Sequence, residues 1–213
     1  TEIAKKIISG EVAKIVVTIP EGFTVKQIEE RLGLKLPGEN LEGFLFPDTY
    51  QFPPRVSGAE VVKKMRDNFD KKFTPYRNEV SGAGLTPFEI ITMASLLEKE
   101  VKTKEDKELV SGILWKRLEN KIPLQIDATI TYITGQKTTK ISKEETQIDS
   151  PYNTYKYLGL PKGPICNPGL ESILAAIYPK DSDYWYYLST PEGETTFSKT
   201  LEEHNYAKSK YLR

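Results

Sequence analysis

Glu98 and Glu100 stand in the run Leu96-Leu97-Glu98-Lys99-Glu100-Val101, at the end of a stretch that otherwise reads as core. Upstream, Ile90, Ile91, Met93, Ala94, Leu96 and Leu97 recur at three- and four-residue steps, the pattern of a buried helical face. At about 100° per residue, Glu100 lies beside Met93, Leu96 and Leu97, toward the middle of that face. Glu98 falls near the edge, beside Ile91, Ala94 and Ser95. A carboxyl among apolar neighbours resists ionisation, so it holds a proton near neutral pH and can act as a general acid. Two Glu residues near a helix end can equally be surface charges paired with Lys99, Lys102 or Lys104, the ordinary fate of Glu. The surrounding motifs decide between the two.

A second chemical signal is residues 150–169, which hold Ser150-Pro151-Tyr152-Asn153-Thr154-Tyr155 and end in Asn167-Pro168-Gly169. Loops of that length inside a compact domain are usually functional or disordered. Tyr152, Tyr155, Tyr157, Leu158, Leu160 and Ile165 argue for packing, and the prolines narrow the unfolded ensemble. Asn and Tyr on a stiff wall suit sugar hydroxyls and acetamido groups; a proline-stiffened structural loop is the other reading. The lone histidine, His204, has no nucleophile elbow to serve and reads as a packing residue in a closing helix. Cys166 lacks the helix N-terminus that activates a nucleophilic thiol.

Composition removes several classes. Lys plus Arg and Asp plus Glu both number 30, so no net charge draws the chain to nucleic acid. One Cys and one His exclude an internal disulfide, a multi-thiolate metal site and a His-rich one. No apolar run approaches the roughly 20 residues that span a bilayer. The chain opens on Thr1 inside a helix-forming pattern ending at Gly10, which reads as part of something longer, with any anchor upstream.

These residues need scaffolding. Residues 11–19 form a β-branched run closed by Pro20, and Thr24 with Gln27 makes a capping box for a helix over 25–32 that stops at Gly33. Helix, strand and helix make a small α/β module, with a boundary in residues 34–40. Ser57 caps a helix over 59–73, and Thr86-Pro87 opens the Glu100 helix with Pro at its favoured first position. A third helix runs over 104–119, and residues 122–135 lead through a loop into a short helix. Residues 137–149 form a polar excursion. A short helix over 170–178 follows, then a β run over 184–189 whose hairpin partner is 195–198, and last the His204 helix.

Together these motifs carry a resemblance. Glu42-Gly43-Phe44-Leu45-Phe46-Pro47-Asp48-Thr49-Tyr50, Ala94-Ser95-Leu96-Leu97-Glu98-Lys99-Glu100, Leu124-Gln125-Ile126-Asp127-Ala128-Thr129, the Tyr152-Asn153 block, Gly159-Leu160-Pro161, Gly163-Pro164-Ile165 and Asn167-Pro168-Gly169 strongly resemble the YceG-like family of endolytic murein transglycosylases. The match runs in order through residues 41–205 and includes Phe197 and Glu203-His204-Asn205. Cys166 departs from it, standing where a small residue is expected.

The resemblance implies an α+β fold: a mainly helical catalytic domain with a small β-sheet at 39–213, preceded by a partial LysM-like α/β subdomain at 1–38. It implies cleavage of the MurNAc-β-1,4-GlcNAc bond inside peptidoglycan strands, leaving a 1,6-anhydro end. It places the general acid/base at Glu100, which the helical-face argument independently prefers to Glu98. Glu98, Gln125, Asp127, Tyr152, Asn153, Tyr155, Asn167 and His204 are then substrate-side candidates. The alternatives are a hydrolytic muramidase using Glu100 with Asp127 or Glu98, and a non-catalytic peptidoglycan-binding module. No metal or organic cofactor is implied. The expected partners are glycan strands and cell-wall synthases, with no nucleic acid. The expected setting is a single-pass membrane anchor upstream and an extracytoplasmic catalytic domain.

Overall fold

The computed structural model describes residues 14–136 and 141–212. The expected helix ending at Gly10 lies outside the described residues. β1 (Ile15–Thr18) is followed by α1 (Val25–Leu32), β2 (Thr49–Phe52), α2 (Gly58–Phe73) and the short α3 (Arg77–Gly82). Then come α4 (Pro87–Glu100), α5 (Lys104–Glu119), α6 (Asp127–Thr134) and α7 (Leu170–Ile177). A hairpin of β3 (Tyr186–Ser189) and β4 (Thr195–Ser198) leads into α8 (Leu201–Tyr211). The fold is α+β, with two separate antiparallel pairs among the described residues.

Local chemistry explains the boundaries. Thr24, Ser57, Thr86 and Thr200 each accept from the N3 amide of their helix while the N3 Gln or Glu reaches back, forming four complete capping boxes. β1 pairs with β2 in the register Ile15↔Phe52 to Thr18↔Thr49. Tyr50 and Phe52 alternate inward and cover a small core with Ile19, Ile28, Leu45, Val61 and Met65. This sheet and core join residues on both sides of position 38.

The larger core surrounds α4, in which every residue from 90 to 97 is buried. The helix is therefore apolar around its whole circumference and carries no single apolar face. α7, α5 and α6 pack on it. Its two internal polar residues are satisfied: Thr92 Oγ1 donates to Phe88 O, and Ser95 Oγ donates to Thr92 O. Ser95 Oγ also accepts from Ile165 N at 3.0 Å, which fixes residues 150–169 against the helix. Two elements have weak sequence signals. α3 buries only Val80, and β2 offers four residues between prolines.

Gly43 shows how tightly the turn before β2 is packed. Its φ is +87°, and a Cβ there would lie 2.6 Å from Pro164 and 2.7 Å from Ile91. Gly33, the left-handed cap of α1 at φ +66°, has nothing within 4 Å of that position. Gly43→Ala combines backbone strain with overpacking and should cost roughly 2–4 kcal/mol, whereas Gly33→Ala should cost about 1 kcal/mol. Urea denaturation of the two variants measures the difference; equal losses would contradict this packing.

Candidate active site

The Glu100 carboxyl ends α4 and caps a different helix. α6 starts after Ile126, whose side chain offers no cap, so its first amides lack a local acceptor. The Ala128 N–H donates to Glu100, and the Tyr187 hydroxyl donates to Oε2 at 2.9 Å. Ser189 Oγ donates to the Glu100 carbonyl at 3.3 Å. Strand alternation explains that pair, since Tyr187 and Ser189 point to one face of β3.

Four influences act on the Glu100 proton. Burial is the largest and favours the neutral acid; the Tyr187 hydroxyl favours the carboxylate; the negative Asp127 favours the acid; the Ala128 amide favours the carboxylate. Burial prevails, and the carboxyl is pushed up from 4.5 to about 7. The residue as a whole keeps partial exposure, while its carboxyl is enclosed. A carboxyl of this kind can give a proton in one half of a reaction and take one in the other.

Asp127 and Tyr155 complete the near surroundings. The Tyr155 hydroxyl donates to Asp127 Oδ1. Burial, then Asp127, raises the Tyr155 pKa and keeps its proton in place. Thr154 ties this segment to α6, accepting from Ile126 N at 3.0 Å on Oγ1 and from Gln125 N at 3.1 Å on its carbonyl. Gln125 is exposed, with its backbone at φ +54°.

One turn along α6, the Tyr132 ring lies 5.1 Å from that of Tyr152, and its hydroxyl faces the Glu42 carboxyl. Glu42 accepts from Val25 N at 3.1 and 3.2 Å and from Asn167 Nδ2 at 3.0 Å. Burial pushes this second carboxyl up to about 7 against the pull of the Val25 amide, Lys99 and Tyr132.

The structure thus brings Glu100, Asp127 and Tyr155 together, with Gln125 just ahead of α6 and Tyr152, in the 150–169 segment, packed against Tyr132 of that helix. The other candidates sit apart. Glu98 Oε2 accepts from Gly169 N at 3.0 Å and Ser172 Oγ at 2.6 Å, capping α7, and Lys107 Nζ lies 3.6 Å away. Asn153 spends its carboxamide within its own loop, donating to the Thr146 and Ile148 carbonyls and accepting from Tyr155 N. Asn167 joins the front of the chain to the core, accepting from Leu45 N at 2.9 Å and donating to Phe23 O at 3.0 Å. His204 stacks 5.2 Å from Tyr186, on the face of β3 opposite Tyr187. Burial lowers its pKa. Two shallow hollows of about 340 and 350 Å³ flank Leu160, and neither is lined by Glu100.

Sequence reasoning missed Tyr187, the Ala128 amide and the Glu42–Tyr132 pair. Alternation within residues 184–189 contained the Tyr187 signal, because it sets Tyr187 and Ser189 apart from Tyr186. Nothing local marked Ala128, whose contribution is a backbone amide.

Comparisons with known proteins add to this geometry. A model of the YceG-like family matches residues 1–210. An endolytic murein transglycosylase of Bacillus subtilis is 41% identical over 173 residues, covering 81% of this chain and 48% of that protein. One of Streptococcus pneumoniae is 36% identical over 171 residues, covering 78% of this chain and 31% of that protein. The chain therefore spans about half the length of the first relative and about a third of the second. A crystal structure of a YceG-like protein from Listeria monocytogenes superposes with a TM-score of 0.85 at 34% identity, covering 97% of this chain and 80% of that one.

Glu42 and Glu100 both bind protons more tightly folded than unfolded. Each adds stability that is full below its unfolded value near 4.5 and lost as pH rises through about 7. Relative to wild type, Glu42→Gln and Glu100→Gln should each gain on the order of 2–3 kcal/mol between pH 4.5 and pH 8. Denaturation midpoints across that range measure it. A variant-to-wild-type difference that stays flat with pH would show that the carboxyl in question ionises like an exposed one.

Proposed function

The chain belongs to the YceG-like family, and from that premise we propose that it is an endolytic murein transglycosylase with Glu100 as its single general acid/base. The observation that carries the reading is the Glu100 carboxyl at the end of α4, which accepts from the Tyr187 hydroxyl at 2.9 Å and whose pKa burial pushes up to about 7. The substrate is the peptidoglycan glycan strand, cut at the β-1,4 bond between MurNAc and GlcNAc. In the first half Glu100 gives its proton to the glycosidic oxygen as the bond from that oxygen to the muramyl C1 breaks. In the second half the Glu100 carboxylate takes the proton of the muramyl 6-hydroxyl as that oxygen bonds to C1. The products are a 1,6-anhydroMurNAc end and a GlcNAc with a free 4-hydroxyl. No water is consumed, and Glu100 regains its proton.

The positive charge that develops on the sugar ring would be stabilised by Asp127, which Tyr155 holds in place. Gln125 and Tyr152 extend the substrate side along α6. In this reading Glu98 is structural, which its bonds to the start of α7 and its nearness to Lys107 support. The hydrolytic reading keeps one specific support: Asp127 is a second carboxylate close enough to act electrostatically on Glu100.

The setting proposed for this activity is the outer face of the cell membrane, beside the synthases that extend glycan strands, with anchoring outside residues 1–213. The antiparallel β1–β2 pair flanking α1 supports a LysM-like reading of the front of the chain. Among the described residues no single helix is long and apolar enough to cross a membrane.

Digestion of purified peptidoglycan followed by mass spectrometry tests the chemistry: anhydro ends are expected, and reducing ends would establish hydrolysis. Glu100→Gln should lower the rate by about 10²–10⁴-fold while the protein stays folded at neutral pH. Glu98→Gln should instead cost roughly 3 kcal/mol of stability, because it leaves Lys107 buried without its carboxylate. An active Glu100→Gln beside a folded but inactive Glu98→Gln would overturn the assignment.

A further inference from the structure

Arg117 on α5 is buried, and its guanidinium is spent on two backbone carbonyls, one seven residues ahead in the loop before α6 and one 68 residues away just before β3. Nε and Nη2 donate to Trp185 O at 3.0 and 2.7 Å, and Nη1 donates to Leu124 O at 3.0 Å. No carboxylate of the described residues lies within 4.0 Å of it. The Tyr186 ring lies 5.1 Å from its central carbon. Burying a cation without a counter-charge costs several kcal/mol, and an apolar side chain would fill the same volume at no such cost. A role beyond filling space is therefore required.

The two carbonyls identify that role. Trp185 lies two residues before Tyr187, and Leu124 lies four residues before Ala128. These segments carry the two groups that donate to the Glu100 carboxyl, one from β3 and one from the start of α6. Leu124 and Trp185 are 61 residues apart in sequence, and among the described residues no β ladder connects their segments. A planar guanidinium presents donors at fixed angles, so it can hold both carbonyls at one separation; a lysine ammonium has no such fork.

We infer that Arg117 is a positioning residue that sets the separation between the Tyr187 hydroxyl and the Ala128 amide across the Glu100 carboxyl. This rests on the reading of Glu100 as the acid/base. Arg117 bonds Trp185 and Leu124 and makes no hydrogen bond or ion pair to Glu100. Its effect reaches the reaction through both donors at once, so its loss acts on proton transfer and leaves glycan binding nearly intact.

Arg117→Lys, Tyr187→Phe and the double variant test it, assayed on peptidoglycan with Glu100→Gln as reference and thermal unfolding as a check of folding. Arg117→Lys should lower kcat by about tenfold to a hundredfold with KM little changed. The limb of the pH–rate profile set by Glu100 should move to higher pH, since both displaced donors favour the carboxylate. In the Tyr187→Phe background the same substitution should cost clearly less, because one of the two groups it aligns is already gone. Arg117→Ala, if folded, should regain activity on addition of guanidinium. A folded Arg117→Lys with wild-type kcat and pH profile, or losses strictly additive with Tyr187→Phe, would overturn the inference. If Glu100→Gln is inactive and Arg117→Lys is unaffected, this inference alone fails; an active Glu100→Gln removes the reading beneath it.

Discussion

Among the described residues, three helix N-termini receive a carboxyl from elsewhere: Glu42 at Val25, Glu98 at Gly169 and Glu100 at Ala128. The amide end of a helix carries partial positive charge and unpaired N–H groups, so an acidic group there gains on both counts. Burial opposes it, and the third neighbour settles the balance. Glu98 has Lys107 3.6 Å away and the Ser172 hydroxyl at 2.6 Å. Glu100, two residues later on the same helix, has Asp127 in place of a cation, and its proton is held to about 7. One helix end thus supplies an acidic group beside Lys107 and another whose burial, with Asp127 nearby, pushes its pKa up to about 7.

α6 is where these constraints meet. Its first turn gives an amide to Glu100, and its last carries Tyr132 to Glu42 and Tyr152. Thr154 closes the remaining gap, bonding the segment before the helix to residues 150–169. An eight-residue helix has little stability of its own, so these tertiary bonds fix its position. Glu42 also grips the front helix α1, which places the front of the chain, the substrate-side loop and the Glu100 carboxyl in one hydrogen-bonded assembly.

Much of this was legible in the residues. The caps at Thr24, Ser57 and Thr86 located helix starts, because a cap is a local interaction between residues three apart. The periodicity around Glu100 identified a buried carboxyl, although α4 proved buried on every side. The 184–189 and 195–198 hairpin followed from its β-rich runs. What stayed hidden is non-local. Tyr187 meets Glu100 across 87 residues of sequence, and Arg117 reaches Trp185 across 68. β2 pairs with β1 across a helix and a turn, with only four residues to declare it. Asn153 and Asn167 have the chemistry of sugar ligands, yet both bind protein backbone, and composition cannot separate those fates.

The account turns on a carboxyl that keeps its proton near neutrality because the fold encloses it. Carbon-13 NMR titration of the glutamate carboxyl carbons measures this directly, with Glu100→Gln identifying the resonance. A Glu100 signal with its midpoint near 7 is the predicted result. A midpoint at the ordinary 4–5 of an exposed glutamate would contradict it.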